Sequence, residues 1–317
     1  MREVTNPSEV ANALAQGHLA IMPTETVYGL GADADNKIAV ARIFTAKNRP
    51  ANHPVIVHIS GQEHVSAWAA QIPEYAKNLA TAFWPGPMTL VLERLPRAGD
   101  YLTGGQDTIA IRVPQHPVFR QVLAALAKEK NDPAAGIAAP SANRFGNVSP
   151  TSLAHAVEEL NEYLAQDDLA LDGADSRIGV ESTIIDATGP KPIILRHGGV
   201  TAEDINTIVH LSRNESHVRA PGTLASHYTP KKQLVLTSES ELRNSRGGAL
   251  IAMQDIQTPV GFNRIASPEN ADQYAHVLYS ALREADKSSE AVIYAVPPTG
   301  GGIASAIRDR LNRAATQ

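Results

Sequence analysis

Leu19-Ala20-Ile21-Met22-Pro23-Thr24-Glu25-Thr26-Val27-Tyr28-Gly29-Leu30-Gly31 is the stretch on which the fold class turns. Four apolar residues stopped by a proline are too few for a helix and suit a buried strand. The strand runs into three polar side chains, and Gly-Leu-Gly supplies flexible backbone just behind them. Sites in α/β proteins are built at such strand ends. Alone, a strand followed by a glycine turn is usually just a turn. The stretch gains weight because several similarly unusual segments follow in order.

Outward from this strand, Asn6-Pro7-Ser8-Glu9 opens a helix with Asn6 as cap, Glu9 at the box position and Gly17 at its end. Further helices are expected over 36–47, 73–83, 117–129 and 202–210, and one from Ser149-Pro150-Thr151 to Leu160 with Ser149 as cap. Strands are expected at 55–59, 88–92, 108–113, 136–139, 169–172, 183–187 and 192–196. Strands and helices are mixed without strict alternation, which predicts an α/β fold with a twisted mixed sheet flanked by helices. Residues 211–230 are polar, aperiodic and broken by Pro221, Gly222 and Pro230, as in an interdomain linker. From Gln233 a cleaner alternation begins, with strands near 233–237, 248–253 and 291–296 and helices near 239–245, 269–286 and 302–315. A small C-terminal α/β domain with a largely parallel, Rossmann-like sheet is expected there. The division is therefore 1–210, 211–230 and 231–317.

The 317 residues suffice for two domains, and 43% hydrophobic with 19% charged residues fits a globular protein. The absence of cysteine excludes disulfides, thiolate nucleophiles and cysteine-ligated zinc. No run is long and apolar enough for a membrane span, and the N-terminus has no apolar signal core. A cytoplasmic protein is expected. The net charge of −5 argues against a globally basic nucleic-acid binder and leaves room for a local basic groove.

Lys47-Asn48-Arg49-Pro50 sets two cations at a helix end, suited to a polyphosphate or carboxylate, or simply to the helix dipole. His58 stands in an apolar strand, as a satisfied core residue or a ligand. Arg112 shares a strand face with Thr108 among apolar neighbours, so it needs an anionic partner, a wet cleft or a structural salt bridge. Ala139-Pro140-Ser141-Ala142-Asn143 leaves a strand end with small polar groups, as an anion loop or a polar turn. Ser182 enters a strand and Arg196 leaves one. Pro297-Pro298-Thr299-Gly300-Gly301-Gly302 opens the last helix, as an anion cradle or a flexible turn. No Walker A, GxGxxG after a strand, HExxH or nucleophile elbow is present.

As a set and in this order, these segments resemble the YrdC-type threonylcarbamoyl-AMP synthases. The matching motifs are Pro-Thr-Glu-Thr-Val-Tyr-Gly-Leu-Gly, Lys-x-Arg-Pro, Pro-x-Ile-Val-His-Ile, Trp-Pro-Gly-Pro-x-Thr, Ile-Arg-Val-Pro, Ala-Pro-Ser-Ala-Asn and Val-Glu-Ser-Thr-Ile-Ile-Asp. They span roughly residues 7–210. Ala220-Pro221-Gly222-Thr223 through His227-Tyr228-Thr229-Pro230 is similar to the linker of the longer, two-domain members. The resemblance implies a YrdC-like N-terminal domain, 211–230 as linker and active-site lid, and a nucleotidyltransferase reaction. L-threonine, bicarbonate and ATP would give threonylcarbamoyl-AMP, pyrophosphate and water, for threonylcarbamoyladenosine beside the anticodon of tRNA. Other proteins, the tRNA-modification transferases, would use the product.

Carried over residue by residue, the resemblance implies Lys47, Arg49, Arg112, Ser141 and Asn143 as catalytic positions. It sets Thr26, His58, Arg112, Ala139 and Ser182 around L-threonine. It sets Arg49, His53, Thr108, Ser141, Ser149, Arg196 and Tyr228 around ATP. Mg2+ would be held mainly by the ATP phosphates, with no metal ligands from protein side chains. Two departures stand out: His53 replaces a common Asn, and Leu224-Ala225-Ser226-His227-Tyr228 replaces a more cationic linker. A hydrogenase-maturation carbamoyltransferase carries a similar central domain but also cysteine-rich zinc modules, which this chain lacks. A noncatalytic RNA-binding YrdC-like module is the other reading; it predicts RNA binding without ATP turnover.

Overall fold

The computed structural model describes residues 1–222 and 228–316. Leu224, Ala225, Ser226 and His227 of the expected lid segment, with Thr223, lie outside the described residues. The first unit runs β1 (Arg2–Val4), α1 (Pro7–Ala15), β2 (Ala20–Met22), β3 (Gly29–Asp33), α2 (Lys37–Lys47), β4 (Ile56–His58), α3 (Glu74–Phe83) and β5 (Met88–Glu93). It continues through α4 (Asp100–Thr103), β6 (Thr108–Arg112), α5 (Pro117–Glu129), β7 (Ile137–Ala138), α6 (Leu153–Leu160), β8 (Leu169–Leu171), β9 (Thr183–Asp186), β10 (Ile193–Arg196) and α7 (Ala202–Ile208). The second comprises β11 (Gln233–Leu236), α8 (Glu239–Leu242), β12 (Gly248–Ile251), β13 (Phe262–Ala266), α9 (Ala271–Lys287), β14 (Val292–Ala295) and α10 (Ala304–Ala315).

The first unit is built on one ten-stranded sheet, ordered β1-β8-β2-β3-β7-β4-β6-β5-β9-β10. Parallel pairs such as β4 with β6 alternate irregularly with antiparallel pairs such as β2 with β3, so the sheet is mixed as its element order implied. Nearly every strand is apolar on both faces and buried. Tyr28, Leu30, Val57, Trp68, Leu90 and Ile111 belong to the main core, while α1 and α5 cover a second cluster through Leu14, Phe119 and Leu123. The second unit has a four-stranded, wholly parallel sheet, ordered β11-β14-β12-β13.

The local differences from the sequence reading have simple causes. Gly29-Leu30-Gly31 is not loose backbone: it begins β3, pairing antiparallel with β2. A Cβ on Gly31 would stand 2.2 Å from Met22 Cε and 3.0 Å from Ile137 Cγ2, so a side chain there would have to displace the ends of both. Asn6 caps α1 as expected, but Glu9 pairs with Arg2 instead of closing a box. Ser149 caps nothing; Ser152 accepts from the His155 amide at 3.2 Å and starts α6. Three elements were not anticipated: β1 and α4, of three and four residues, and β13, whose Phe262-Asn263-Arg264-Ile265-Ala266 mixes polar with apolar residues.

The two units share an apolar seam. Val27, Val148 and Val180 from the first sit in the same cluster as Tyr228, Tyr274, Tyr279, Leu278 and Ile307. Burying one such side chain contributes about 1.5–3 kcal/mol.

Candidate active site

The Thr24-Glu25-Thr26 corner forms because Thr24 bonds its own neighbours. Its hydroxyl accepts the amides of Thr26 and Val27, both at 3.1 Å, and donates to the Val27 carbonyl at 2.6 Å. This turn presents the Thr26 hydroxyl to the end of β6, where Arg112 Nη1 donates to it at 3.1 Å. Arg112 Nη2 meets Glu25 Oε1 at 2.6 Å, and its Nε donates to the Gly86 carbonyl at 3.2 Å. Burial alone would raise the Glu25 carboxyl; the Arg112 charge and hydrogen bond outweigh it and hold the group below its usual range.

Register pairs His58 with Arg112 across β4 and β6. His58 is buried against Phe119, with ring centroids 5.1 Å apart. Burial first, then the Arg112 charge, press its pKa down to about 3, so the ring is neutral. On the other side, the loop after β7 is pinned by the Leu30 amide donating to Pro140 O at 2.9 Å and the Ala142 amide donating to Tyr28 O at 2.8 Å. Ala139, Pro140 and Ser141 thereby form one wall of the cleft.

Helix α2 ends with Asn48 in the left-handed conformation, φ 51°. That turn separates the two cations of Lys-x-Arg. Lys47 remains helical and fully buried, with Nζ donating to Ser141 O at 2.6 Å and to Asn143 O. Burial and the neighbouring Arg49 charge lower its pKa well below the usual lysine value. Arg49 turns into the cleft instead. Its Nη2 donates to Pro54 O at 2.8 Å, while its Nε has no hydrogen-bond partner among the described residues. Burial lowers its pKa to about 10, with Arg196 contributing in the same direction.

Arg196, leaving β10, donates to Ser182 O at 2.9 Å, Ser182 Oγ at 3.2 Å and Pro221 O at 2.9 Å. Ser182 Oγ lies 2.9 Å from Thr89 Oγ1. Tyr228 closes the cleft, stacked on Tyr279 with centroids 5.6 Å apart.

The fold thus gathers Thr26, Arg49, His58, Arg112, Ala139, Ser141, Ser182, Arg196 and Tyr228 around one cleft. The remaining sequence candidates stand off its wall. Lys47 lies beneath the loop, and Asn143 turns its amide to the Arg144 and Asn147 carbonyls, both at 2.8 Å. Ser149 Oγ donates to Glu181 at 2.8 Å. His53 packs edge-on to Phe145, centroids 5.3 Å apart. Thr108 opens β6 while Arg112 closes it, about 13 Å apart along the strand. Glu25 and Glu181 carried signals in quoted motifs, but their partners were not readable. Tyr279 and Arg310, on α9 and α10, gave no local signal beyond an amphipathic helix. The Pro297–Gly302 turn already holds an anion from the first unit, since the Gly302 amide donates to Glu203 Oε1 at 3.2 Å.

Among the described residues, no group of three or more His, Asp or Glu side chains is arranged to hold a metal ion. The acids at this site, Glu25 and Glu181, are each bonded to an arginine. Among the described residues no helix is long and apolar enough to cross a membrane.

Comparison with known proteins gives a consistent result. Residues 12–198 match the family described as "Telomere recombination" (Sua5/YciO/YrdC), and residues 200–316 match the one described as "Threonylcarbamoyl-AMP synthase, C-terminal domain". The chain is 35% identical to the threonylcarbamoyl-AMP synthase of Pyrococcus abyssi, over 96% of this chain and 92% of that protein. It is 35% identical to that of Bacillus subtilis, over 98% and 94%. The crystal structure of P. abyssi Sua5 complexed with L-threonine superposes with a TM-score of 0.86 at 32% identity, covering 99% of this chain and 97% of that one.

Proposed function

The chain belongs to the threonylcarbamoyl-AMP synthase family, and on that premise we propose that it converts L-threonine, bicarbonate or CO2, and ATP into L-threonylcarbamoyl-AMP and pyrophosphate. The observation that carries the reading is electrostatic. Arg49, Arg112 and Arg196 are each less than a tenth exposed and converge on one cleft, and only Arg112 has a carboxylate partner there among the described residues. Buried cations left without acids favour anionic ligands, and this reaction brings together a triphosphate and an amino-acid carboxylate.

The chemistry asks the protein for placement and charge, not for a nucleophile. The threonine ammonium loses a proton, its nitrogen bonds to the CO2 carbon as one C–O π bond opens, and loss of a second proton from nitrogen leaves the carbamate. A carbamate oxygen then bonds to the α-phosphorus as the bond to the β-phosphate oxygen breaks and pyrophosphate leaves. Two anions must be held in line, and their charge offset in a dry cleft. In this reading Thr26, His58, Arg112, Ala139 and Ser182 surround threonine. Neutral His58 and the Thr26 hydroxyl accept and donate without adding charge. Arg49, Ser141 and Arg196 face the phosphates, and Tyr228 covers them. Lys47, Asn143 and Ser149 act from behind, holding the Ser141 loop and the Glu181 side of the wall. His53 and Thr108, further along, would meet the nucleoside end. The chain's own side chains do not suit a metal site, because both nearby acids are committed. Magnesium would enter on the phosphate oxygens of ATP.

Residues 1–210 would form the catalytic unit, 211–230 its linker and lid, and 231–317 the second domain; the two separate sheets support this division. The product would serve tRNA modification by separate transferases in the cytoplasm. The test is pyrophosphate release by the full chain with ATP and magnesium, omitting L-threonine or bicarbonate in turn, with mass detection of the adenylate. Release that needs both is expected. Turnover indifferent to threonine, or RNA binding with no turnover, would sink the assignment.

A further inference from the structure

One buried acid sits badly for an anion-binding cleft. Glu181 lines the same wall as Arg196, and adjoins Ser182, to which Arg196 donates. A carboxylate and a guanidinium this close in a dry wall would ordinarily pair with each other. They do not. The Glu181 oxygens accept from Arg310 Nε at 2.8 Å, from Tyr279 OH at 2.9 and 3.1 Å, and from Ser149 Oγ at 2.8 Å. Arg196 donates to neutral oxygens of Ser182 and Pro221 and has no carboxylate in an ion pair among the described residues.

Arg310 comes from the second unit, on α10, and its side chain is 0% exposed. It is fixed from three further directions. Its Nη2 donates to His197 O at 2.8 Å, Asp309 pairs with Nη1, and its guanidinium lies 5.1 Å from the centre of the Tyr228 ring. Burial would raise the Glu181 carboxyl, but the Arg310 and Arg196 charges bring it down to about 2, so it stays ionised.

We propose that Arg310, with Tyr279, is a positioning residue of the second unit that takes up the charge of Glu181 and so leaves Arg196 uncompensated toward the cleft, ready for a polyphosphate. This rests on reading the cleft as a nucleotide site. It gives the second unit a task other than covering that site: it partitions charge within it. Without Arg310, Arg196 is the nearest cation free to turn to Glu181, and the cleft loses one anion-binding arginine.

The experiment uses the full-length chain with Arg310→Met and Tyr279→Phe, each alone and combined with Glu181→Gln. Two readouts are needed: calorimetric binding of inorganic tripolyphosphate, and KM for ATP against kcat in pyrophosphate release. Arg310→Met is expected to weaken tripolyphosphate binding and raise KM for ATP by about tenfold or more, with kcat changed far less. Adding Glu181→Gln should restore both to within about threefold, because no acid remains to draw Arg196 away. Tyr279→Phe keeps the ring stack and loosens Glu181, so a smaller shift in the same direction, also removed by Glu181→Gln, is expected. If Arg310→Met does not fold, the Tyr279→Phe pair carries the test alone. Unchanged binding in the single variants, or no rescue by Glu181→Gln, overturns the proposal, as does failure of the unaltered protein to bind tripolyphosphate. If the unaltered protein binds it but makes no adenylate, the synthase reading fails, while the binding arm still decides the charge partition.

Discussion

Replacing Arg112 by methionine separates two roles that a simple loss of activity would confuse. The Arg112 and Glu25 side chains are each 4% exposed and meet at 2.6 Å. Methionine fills much of the volume, so the loss is chiefly the uncompensated Glu25 carboxylate, and breaking such a pair costs about 3–5 kcal/mol. The pH dependence gives the diagnosis. In the unaltered protein burial is outweighed by Arg112, and Glu25 titrates below the ordinary carboxylate range. Its contribution is therefore present above the unfolded-state pKa and lost as pH falls through the depressed folded-state value. In Arg112→Met only backbone hydrogen bonds still oppose burial, and the folded-state pKa rises. The unfolded chain then gives up its proton first, and the variant loses stability as pH rises through the interval between the two values. Each pKa unit corresponds to about 1.4 kcal/mol. Urea unfolding at about pH 5, 6.5 and 8 should show a deficit that widens with pH. Arg112→Met with Glu25→Gln should recover most of the stability. A deficit under about 1 kcal/mol, or one flat with pH, would refute the reasoning. If the stable double variant has no threonine-dependent turnover, the missing activity belongs to the guanidinium itself and not to unfolding.

Three further outcomes are expected. Lys47→Met leaves the Ser141 and Asn143 carbonyls without their donor, at about 1–3 kcal/mol each, and should raise KM for ATP by loosening the loop; thermal denaturation and steady-state kinetics check both. Gly222→Ala puts a Cβ 2.5 Å from the Tyr228 hydroxyl and 2.9 Å from Arg196 Nη1, at φ +77°. It should cost about 1–3 kcal/mol by denaturation and weaken ATP binding, and a neutral result would contradict the observed approach of the linker. His58, with its pKa at about 3, should stay neutral in its ring NMR shifts across about pH 5–8. Because its folded-state pKa is depressed, its contribution is lost as pH falls below the unfolded histidine range, and a protonated ring at neutral pH would contradict the site's electrostatics.

The mixed sheet was legible because several of its strands are short apolar runs bounded by Pro23, Pro87 and Pro114, and its longer helices carry apolar periodicity. Most of the cleft was legible for a related reason: its residues lie at element ends, where the motifs concentrate polar and glycine residues. What escaped is what depends on direction. Lys47 and Arg49 are two residues apart, yet the left-handed Asn48 sends one beneath the loop and the other into the cleft. No periodicity records that turn. Ser149 had the residue type of a cap and found a carboxylate instead. Arg310 and Tyr279 lie on helices whose composition says only that one face is buried. Their target, Glu181, is 129 and 98 residues away, and only tertiary packing joins them.

That separation has a consequence for how the protein is made. A ribosome adds about 5–20 residues per second, so the codon for Arg310 is read about 6–26 s after that for Glu181. Once β10 has followed, ending at Arg196, the sheet of the first unit has all its strands, yet Glu181 still has no Arg310, and Val27, Val148 and Val180 have no α9 or α10 against them. A nascent chain at this stage exposes an apolar strip beside an acid that has Ser149 but neither Tyr279 nor Arg310. The helix that neutralises the acid, α10, is made well after the first unit, so a chain cut short before Arg310 carries an unfinished pocket.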